Sequence, residues 1–279
     1  MRSKMLALSL TGLLAGATSQ AGASLLVYEG FDYDSLATTT VNGTTGGTGW
    51  GGAWGITGGG PTVSAAYSST SLVNPAFPSI GGSLAVDHNT FGATRSFDLT
   101  NADIADAVNL SLDGSLYFSF VYRPSTTTSS NIQFTGLSDP VFARFFSNNI
   151  AATAGSGTFS SAGGGAFTPG SSYFVIGKFT KSAAGNDVLS LNVLGESDPI
   201  GPESFIVSSA GAALSGSLTG ITVLQGDPAN NNGTPAFFDE FRLGTTYESV
   251  TADAVIPEPG SIALLACGFA LVAARRRRG

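Results

Sequence analysis

The chain is poor in cysteine, in histidine and in charge, and each shortage removes a class of function. Cys267 is the only cysteine among 279 residues and lies in an apolar stretch near the C-terminus. The rest of the chain therefore holds no disulfide, no thiol nucleophile and no thiolate metal site. His88 is the only histidine, so a Ser–His–Asp arrangement would have to use it. It follows a strand-like segment, where a turn histidine is the simpler reading.

Charged residues make up 11% of the chain, too few to clothe long solvent-facing helices. Outside the two termini the basic residues are Arg95, Arg123, Arg144, Lys178, Lys181 and Arg242. Against these six stand eighteen acidic residues, a formal charge of about −12 for the central region. So acidic a body repels a phosphate backbone, which argues against nucleic acid as a partner and favours divalent cations.

What the chain does have is 38 glycines, many Ser, Thr and Asn, and 42% apolar residues. That mixture suits short strands joined by many turns around a sizeable core, and argues against general disorder.

The two ends are the most informative. At the N-terminus Arg2 and Lys4 precede an apolar run, Leu6 to Leu14, and a small-x-small site, Ala21-Gly22-Ala23. This is the order of a secretory signal peptide spanning 1–23, with cleavage between Ala23 and Ser24 by signal peptidase. At the C-terminus Pro257-Glu258-Pro259 precede a run, 261–274, in which every residue is apolar or small; Arg275, Arg276, Arg277 and Arg278 follow. A segment of about 260–274 is short against the ~20 residues that span a bilayer comfortably, but snorkelling arginines bring it close to a transmembrane helix. The arginine cluster is expected to stay cytoplasmic, with the preceding domain outside.

Pro257-Glu258-Pro259, the apolar segment and the arginine cluster, in that order behind a signal peptide, resemble the PEP-CTERM sorting signal. The resemblance covers residues 255–279. Ile256 stands where valine is commonest in that family. It implies that an exosortase, a membrane cysteine protease, recognises the Pro-Glu-Pro motif and removes the tail after a transient stay in the inner membrane. The domain is then released or moved to the cell surface of a bacterium, often one that makes exopolysaccharide.

Between these ends, 24–254 reads as one all-β domain, an antiparallel β-sandwich. Strands are predicted at 25–31, 83–87, 116–122, 141–146, 173–180, 188–194, 220–224 and 236–243, from branched and aromatic residues in alternation. One helical turn is predicted at 101–108, and 37–60, 125–130, 151–165 and 228–233 read as surface loops. Leu26–Tyr33, the segment Gly49-Trp50-Gly51-Gly52-Ala53-Trp54, and Phe237–Gly244 look like parts of the concanavalin A-like, laminin-G-like jelly rolls. In those folds the first and last strands lie side by side.

By strand parity Asp239 shares a face with Phe237, Phe241 and Leu243, which places a carboxylate toward the core. Two readings of it stay open. The resemblance implies a structural Ca²⁺ between the terminal strands, with Glu29 and Asp32 as further ligands; alternatively Asp239 accepts backbone N–H bonds. Glu240 and Arg242, of opposite parity, read as a solvated ion pair. Trp50 and Trp54 are candidates for stacking on a sugar ring, against the alternative that they cover the core edge.

No catalytic pattern stands out. The E-x-D-x-x-E strand of the retaining glucanases in that superfamily is absent, as are H-E-x-x-H and the P-loop. Gly47–Gly52 satisfies G-x-G-x-x-G but follows no strand and opens no helix. Asp227–Gly233 lacks EF-hand spacing. The expectation is a non-enzymatic surface or matrix protein whose jelly roll binds extracellular polysaccharide. The alternatives are a secreted polysaccharide hydrolase with a diverged acidic site, and a purely structural coat protein.

Overall fold

A computed structural model describes residues 24–252, apart from 34–39, 58–64, 75–76, 78, 80, 87–91, 125–128, 140, 146–148, 156–159, 163–166, 211–213 and 227–234. The expected signal peptide, sorting motif, membrane segment and arginine cluster, together with His88, lie outside the described residues. No helix among the described residues is long and apolar enough to cross a membrane.

The chain order begins β1 (Leu25–Glu29), β2 (Gly55–Thr57), β3 (Ala65–Ser68), β4 (Ser83–Val86), β5 (Gly92–Ser96), α1 (Ala102–Ala107), β6 (Gly114–Arg123) and β7 (Ser129–Thr135). It continues β8 (Val141–Phe145), β9 (Ile150–Ala154), β10 (Ser160–Ala162), β11 (Tyr173–Lys181), β12 (Val188–Leu194), β13 (Val207–Ala210), β14 (Gly220–Gly226), β15 (Ala236–Gly244) and α2 (Tyr247–Thr251). These strands form two antiparallel sheets packed face to face. One runs β13-β12-β11-β6-β15-β4-β3, with β1 sharing the β15 edge with β4; the other runs β10-β9-β8-β7-β14-β5-β2.

Alternation along β6 explains the sandwich. Leu116, Phe118, Phe120 and Tyr122 point into the space between the sheets. They meet Phe134 and Phe145 of the facing sheet, with ring centroids 4.9 Å apart for Phe118–Phe134 and 5.7 Å for Phe120–Phe145. Gly177 of β11 lies opposite Phe118, and a methyl group there would overlap the ring. Truncating one of these phenylalanines to alanine costs about 3–5 kcal/mol.

The other residues of β6 build a second, smaller core on the outer face of the eight-stranded sheet. Tyr117 and Val121, with Phe174 and Ile176 of β11, are covered by Leu72, Phe77, Tyr247 and Val250. Phe77 stacks on Phe174 at 4.3 Å. α2 is held there by a capping box between Thr246 and Ser249 and by the Ser119 hydroxyl, which donates to the Val250 carbonyl at 2.6 Å. The predicted helical turn is α1, whose Asn101 side chain accepts from the Asp103 N–H.

Three differences from the sequence expectation have physical causes. The segment 151–165, read as a loop, contains most of β9 and all of β10, and β2 lies within 37–60. β9 is Ile150, Thr153 and three alanines of low strand propensity, and pairing with β8 and β10 supplies what the alanines lack. β7, which opens inside the predicted loop 125–130, is likewise held by β8 and β14. The third difference is in β15. Asp239 pairs with Val121 and Arg242 with Ser119, so three steps on β15 match two on β6. The extra residue is a β-bulge, and Glu240 takes a left-handed φ of 54° within it. The bulge resets the alternation. Phe238, Phe241 and Leu243 reach the main core, whereas Phe237 packs on the second core.

β1 and β15 pair antiparallel, as the jelly-roll resemblance leads one to expect. Ser24, the first described residue, donates its N–H to the Thr245 hydroxyl at 3.5 Å.

Candidate functional site

The two outer faces of the sandwich differ. The eight-stranded sheet is covered by its second core; the seven-stranded sheet turns outward a layer of polar side chains. On β7 the inward residues are Ile132 and Phe134, and on β14 they are Ile221 and Val223. Their neighbours therefore face out. Registers align these outward residues into rungs running across the strands. One rung reads Thr153, Phe142, Gln133, Thr222, Thr94 and Gly55 through β9, β8, β7, β14, β5 and β2. The next reads Ala151, Arg144, Asn131, Leu224, Gly92 and Thr57. At the usual strand spacing of about 4.8 Å each rung extends roughly 24 Å.

The chemistry of this face is amide and hydroxyl, with one guanidinium, one aromatic ring and the apolar side chains of Leu224 and Ala151. The Arg144 guanidinium lies over the Phe142 ring at 4.9 Å. The Thr222 hydroxyl donates to that of Thr94 at 3.1 Å, which in turn donates to the Ile221 carbonyl at 3.1 Å. Asn131 is 8% exposed and Thr153 7%, yet the Asn131 Oδ1 and Thr153 Oγ1 atoms have no hydrogen-bond partner among the described residues. A buried polar atom left so carries a cost of about 1–3 kcal/mol. Sequence reading missed these residues. The signal available was the alternation of Asn131, Gln133 and Thr135 with Ile132 and Phe134, directly after the predicted loop 125–130, where no strand is predicted.

The tryptophan segment forms a corner at the β2–β5 edge of the same sheet. Glu29 is fully buried there. Its carboxylate pairs with the Arg95 guanidinium, accepts from Trp54 Nε1 at 3.2 Å and accepts from the Phe31 N–H at 2.9 Å. Arg95 also donates to the Gly52 carbonyl at 2.8 Å and the Gly46 carbonyl at 2.9 Å. Its guanidinium lies 4.8 Å from the Trp50 ring centroid and 5.7 Å from that of Trp54. Burial pushes the Glu29 carboxyl up while Arg95 pulls it down, and burial lowers Arg95. Trp54 is 2% exposed and stacks on Phe31; half-buried Trp50 donates to the Tyr28 carbonyl and stacks on Phe97. Both rings thus pack on the core edge. Only Trp50 lines the shallow, largely open depression of about 430 Å³ formed with Arg95 and the glycines of 46–52.

The bulge holds the third cluster. Glu240 and Arg242 are not solvated: both are buried, and Arg242 Nη2 donates to Glu240 Oε2 at 2.9 Å. The Tyr28 hydroxyl donates to Glu240 Oε1 at 3.1 Å, and Arg242 Nη1 donates to the Ala252 carbonyl at 2.8 Å. Asp239 is fully buried and satisfied by N–H and O–H donors. Its Oδ2 accepts from the Leu72 N–H and the Ser71 hydroxyl, each at 2.9 Å, and its Oδ1 from the Glu240 N–H at 2.7 Å.

This donor set does not fit the expected calcium. Glu29 faces the main core beside Arg95 and Trp54, whereas Asp239 faces the opposite side of the sheet under Leu72. Asp32 is exposed. Among the described residues no three His, Cys, Asp or Glu side chains gather as a metal cage. The cause is the bulge, which turns Asp239 away from the face that simple alternation assigns it.

These features define an antiparallel β-sandwich with one covered and one polar outer face. No protein-family model matches the chain, and no curated protein is similar to it in sequence. Among solved structures the fold is similar to the marine PL-14 alginate lyase from Aplysia kurodai, at 9% identity and a TM-score of 0.42 over 66% of this chain and 87% of that one. It is also similar to the endo-beta-1,4-glucuronan lyase of the fungus Trichoderma reesei, at 11% identity and 0.42 over 68% and 90%. A third is the botulinum neurotoxin serotype D binding domain, at 8% identity and 0.42 over 70% and 43%. Such likenesses concern the fold and carry nothing about activity.

Proposed function

We propose that the chain is an exported bacterial surface or matrix protein whose sandwich, a concanavalin A-like jelly roll, binds extracellular polysaccharide without cleaving it. The observation that carries this reading is the outer face of the seven-stranded sheet, with its rungs of Thr, Asn and Gln side chains beside Phe142 and Arg144. Hydroxyl and amide groups exchange hydrogen bonds with sugar hydroxyls, and an aromatic ring stacks on a sugar face. Glycoside hydrolysis needs two carboxylates about 5–9 Å apart. The outward groups of the two rungs are ones that bind and orient rather than transfer protons at neutral pH.

Export and sorting rest on the termini. Signal peptidase acts at Ala23–Ser24; an exosortase acts at Pro257-Glu258-Pro259; the arginine tail holds the chain in the inner membrane until then. The test of the binding reading is affinity of the purified protein for polysaccharide recovered from its own host's surface. Saturable binding with no new reducing ends or unsaturated sugars supports it. Release of shortened or unsaturated oligosaccharides would replace it with the hydrolase or a lyase reading.

A further inference from the structure

We infer that, while its tail is still in place, the protein stands with its α2 side toward the membrane and its polar face outward, so that it joins extracellular polysaccharide to the membrane before release. The inference rests on the sorting tail and the binding face proposed above and adds how the one orients the other.

The exit of the chain lies on one face. α2 sits on the outer side of the eight-stranded sheet, where Tyr247 and Val250 pack on Tyr117 and Val121. Its end is fastened. The Ser119 hydroxyl donates to the Val250 carbonyl, Arg242 Nη1 donates to the Ala252 carbonyl at 2.8 Å, and Thr251 is buried. Ala252, the last described residue, is thus on the side of the sandwich opposite the rungs of Thr, Asn and Gln.

Covalent reach decides between orientations. Seven residues, 253–259, separate Ala252 from the apolar run expected to begin at about 260. Fully extended, the chain from Ala252 to Gly260 spans at most about 29 Å. To lay the polar face on the bilayer, that chain would have to pass the whole thickness of the body. Helix on sheet, sheet on sheet and the outward side chains together make that thickness roughly 25 Å. The straight path is closed, because the two sheets fill it. Skirting the β3 edge, two strands from β15, or the end of β15 beyond Gly244 adds roughly 7–10 Å and exceeds the reach. Unfastening α2 would lengthen the tether only by exposing Tyr247 and Val250. With α2 toward the membrane the same seven residues suffice, and the rungs are open to a polymer arriving from outside.

The test reconstitutes the chain from Ser24 to Gly279 in vesicles and uses the absence of cysteine from its body. In a Cys267→Ser background, Gln133→Cys places a fluorophore on the polar face and Glu248→Cys places one on the exposed side of α2. The lipid headgroups carry a quencher. Expected is a loss of fluorescence at position 248 about twofold or more that at position 133, since about 25 Å of protein separates the two faces. Inserting about twenty Gly and Ser residues after Ala252 should bring the two losses together. Equal or stronger quenching at position 133 with the native tether overturns the orientation. A difference that survives the insertion overturns the short tether as its cause. A chain that does not stay with the vesicles removes the membrane segment, and the inference with it. Host polysaccharide should sediment the loaded vesicles. If it binds the processed form but leaves the vesicles in suspension, the bridging is overturned. If it binds neither, the binding reading fails and takes the bridging with it.

Discussion

Glu240 and Arg242 stand two positions apart on the last strand and form an ion pair of 2.9 Å that is sealed from solvent. On a regular strand, residues two apart project from one face about 7 Å from each other. Here the left-handed φ of Glu240 folds the strand into a bulge and brings the carboxylate back toward the guanidinium. The pair is held by Tyr28 on one side and by the Ala252 carbonyl on the other, with the Phe77 ring 4.0 Å from the guanidinium carbon.

That arrangement makes the pair costly to break and cheaper to replace as a unit. Arg242→Met should destabilise the protein by about 3–5 kcal/mol, because it strands the buried Glu240 carboxylate. Glu240→Gln with Arg242→Met should recover a substantial part of the loss. Chemical denaturation of the single and double variants measures the coupling.

Stability should depend on pH through Asp239. Burial, helped by the neighbouring Glu240 charge, raises its carboxyl well above the ordinary 3.8, against the opposing bonds from Leu72 and Ser71. A folded-state value above the unfolded one favours the protonated native state. Its contribution is fully present below the unfolded pKa and is lost as pH rises through the folded one. The unfolding free energy should therefore carry a falling component as pH climbs from about 4, and Asp239→Asn should flatten it. Denaturation curves across that range decide the matter.

Gly47→Ala should destabilise by at least about 1–3 kcal/mol. Gly47 has a φ of +64°, and a Cβ there would overlap the Tyr28 carbonyl oxygen. Gly52→Ala, with open space around its Cβ, should cost less than about 1 kcal/mol. The contrast in thermal midpoint tests whether the glycine-rich corner needs its backbone geometry or only its softness.

Asn131→Leu should show whether its buried oxygen costs the fold stability. Removing a buried acceptor without a partner leaves the free protein unchanged or more stable by up to about 1 kcal/mol. A purely structural asparagine would lose stability instead. The midpoint of unfolding without ligand distinguishes the two.

Protein recovered from its native host should have an intact mass beginning at Ser24 and ending between Pro257 and Gly260. Retention of Arg275–Arg278 in the mature mass would mean a standing anchor and would remove the sorting reading.

How far residues alone led depended on whether information was local. Short-range patterns decided the strand at Leu116–Tyr122 and the cap at Asn101, whereas the pairing of the terminal strands was expected from the jelly-roll resemblance. Burial of Asp239 was legible too, because a carboxylate amid Phe237, Phe238 and Phe241 has little choice. Its face was not, since a single left-handed residue at Glu240 reverses parity and sequence alternation carries no mark of it. The polar rungs were hidden for a related reason. Thr94, Gln133, Thr153 and Thr222 are ordinary residues scattered over about half the chain, and only strand order makes them neighbours.

Sequence by itself determined an acidic, cysteine-poor, glycine-rich β-chain, because composition and period-two alternation are local properties that each residue carries with it. Tertiary structure alone decided which carboxylates are spent on Arg95 and Arg242, which tryptophan is sealed, and which outer face stays polar. Those outcomes follow from the pairing of strands far apart in the chain and from one inserted residue in a ladder, neither of which a local pattern encodes.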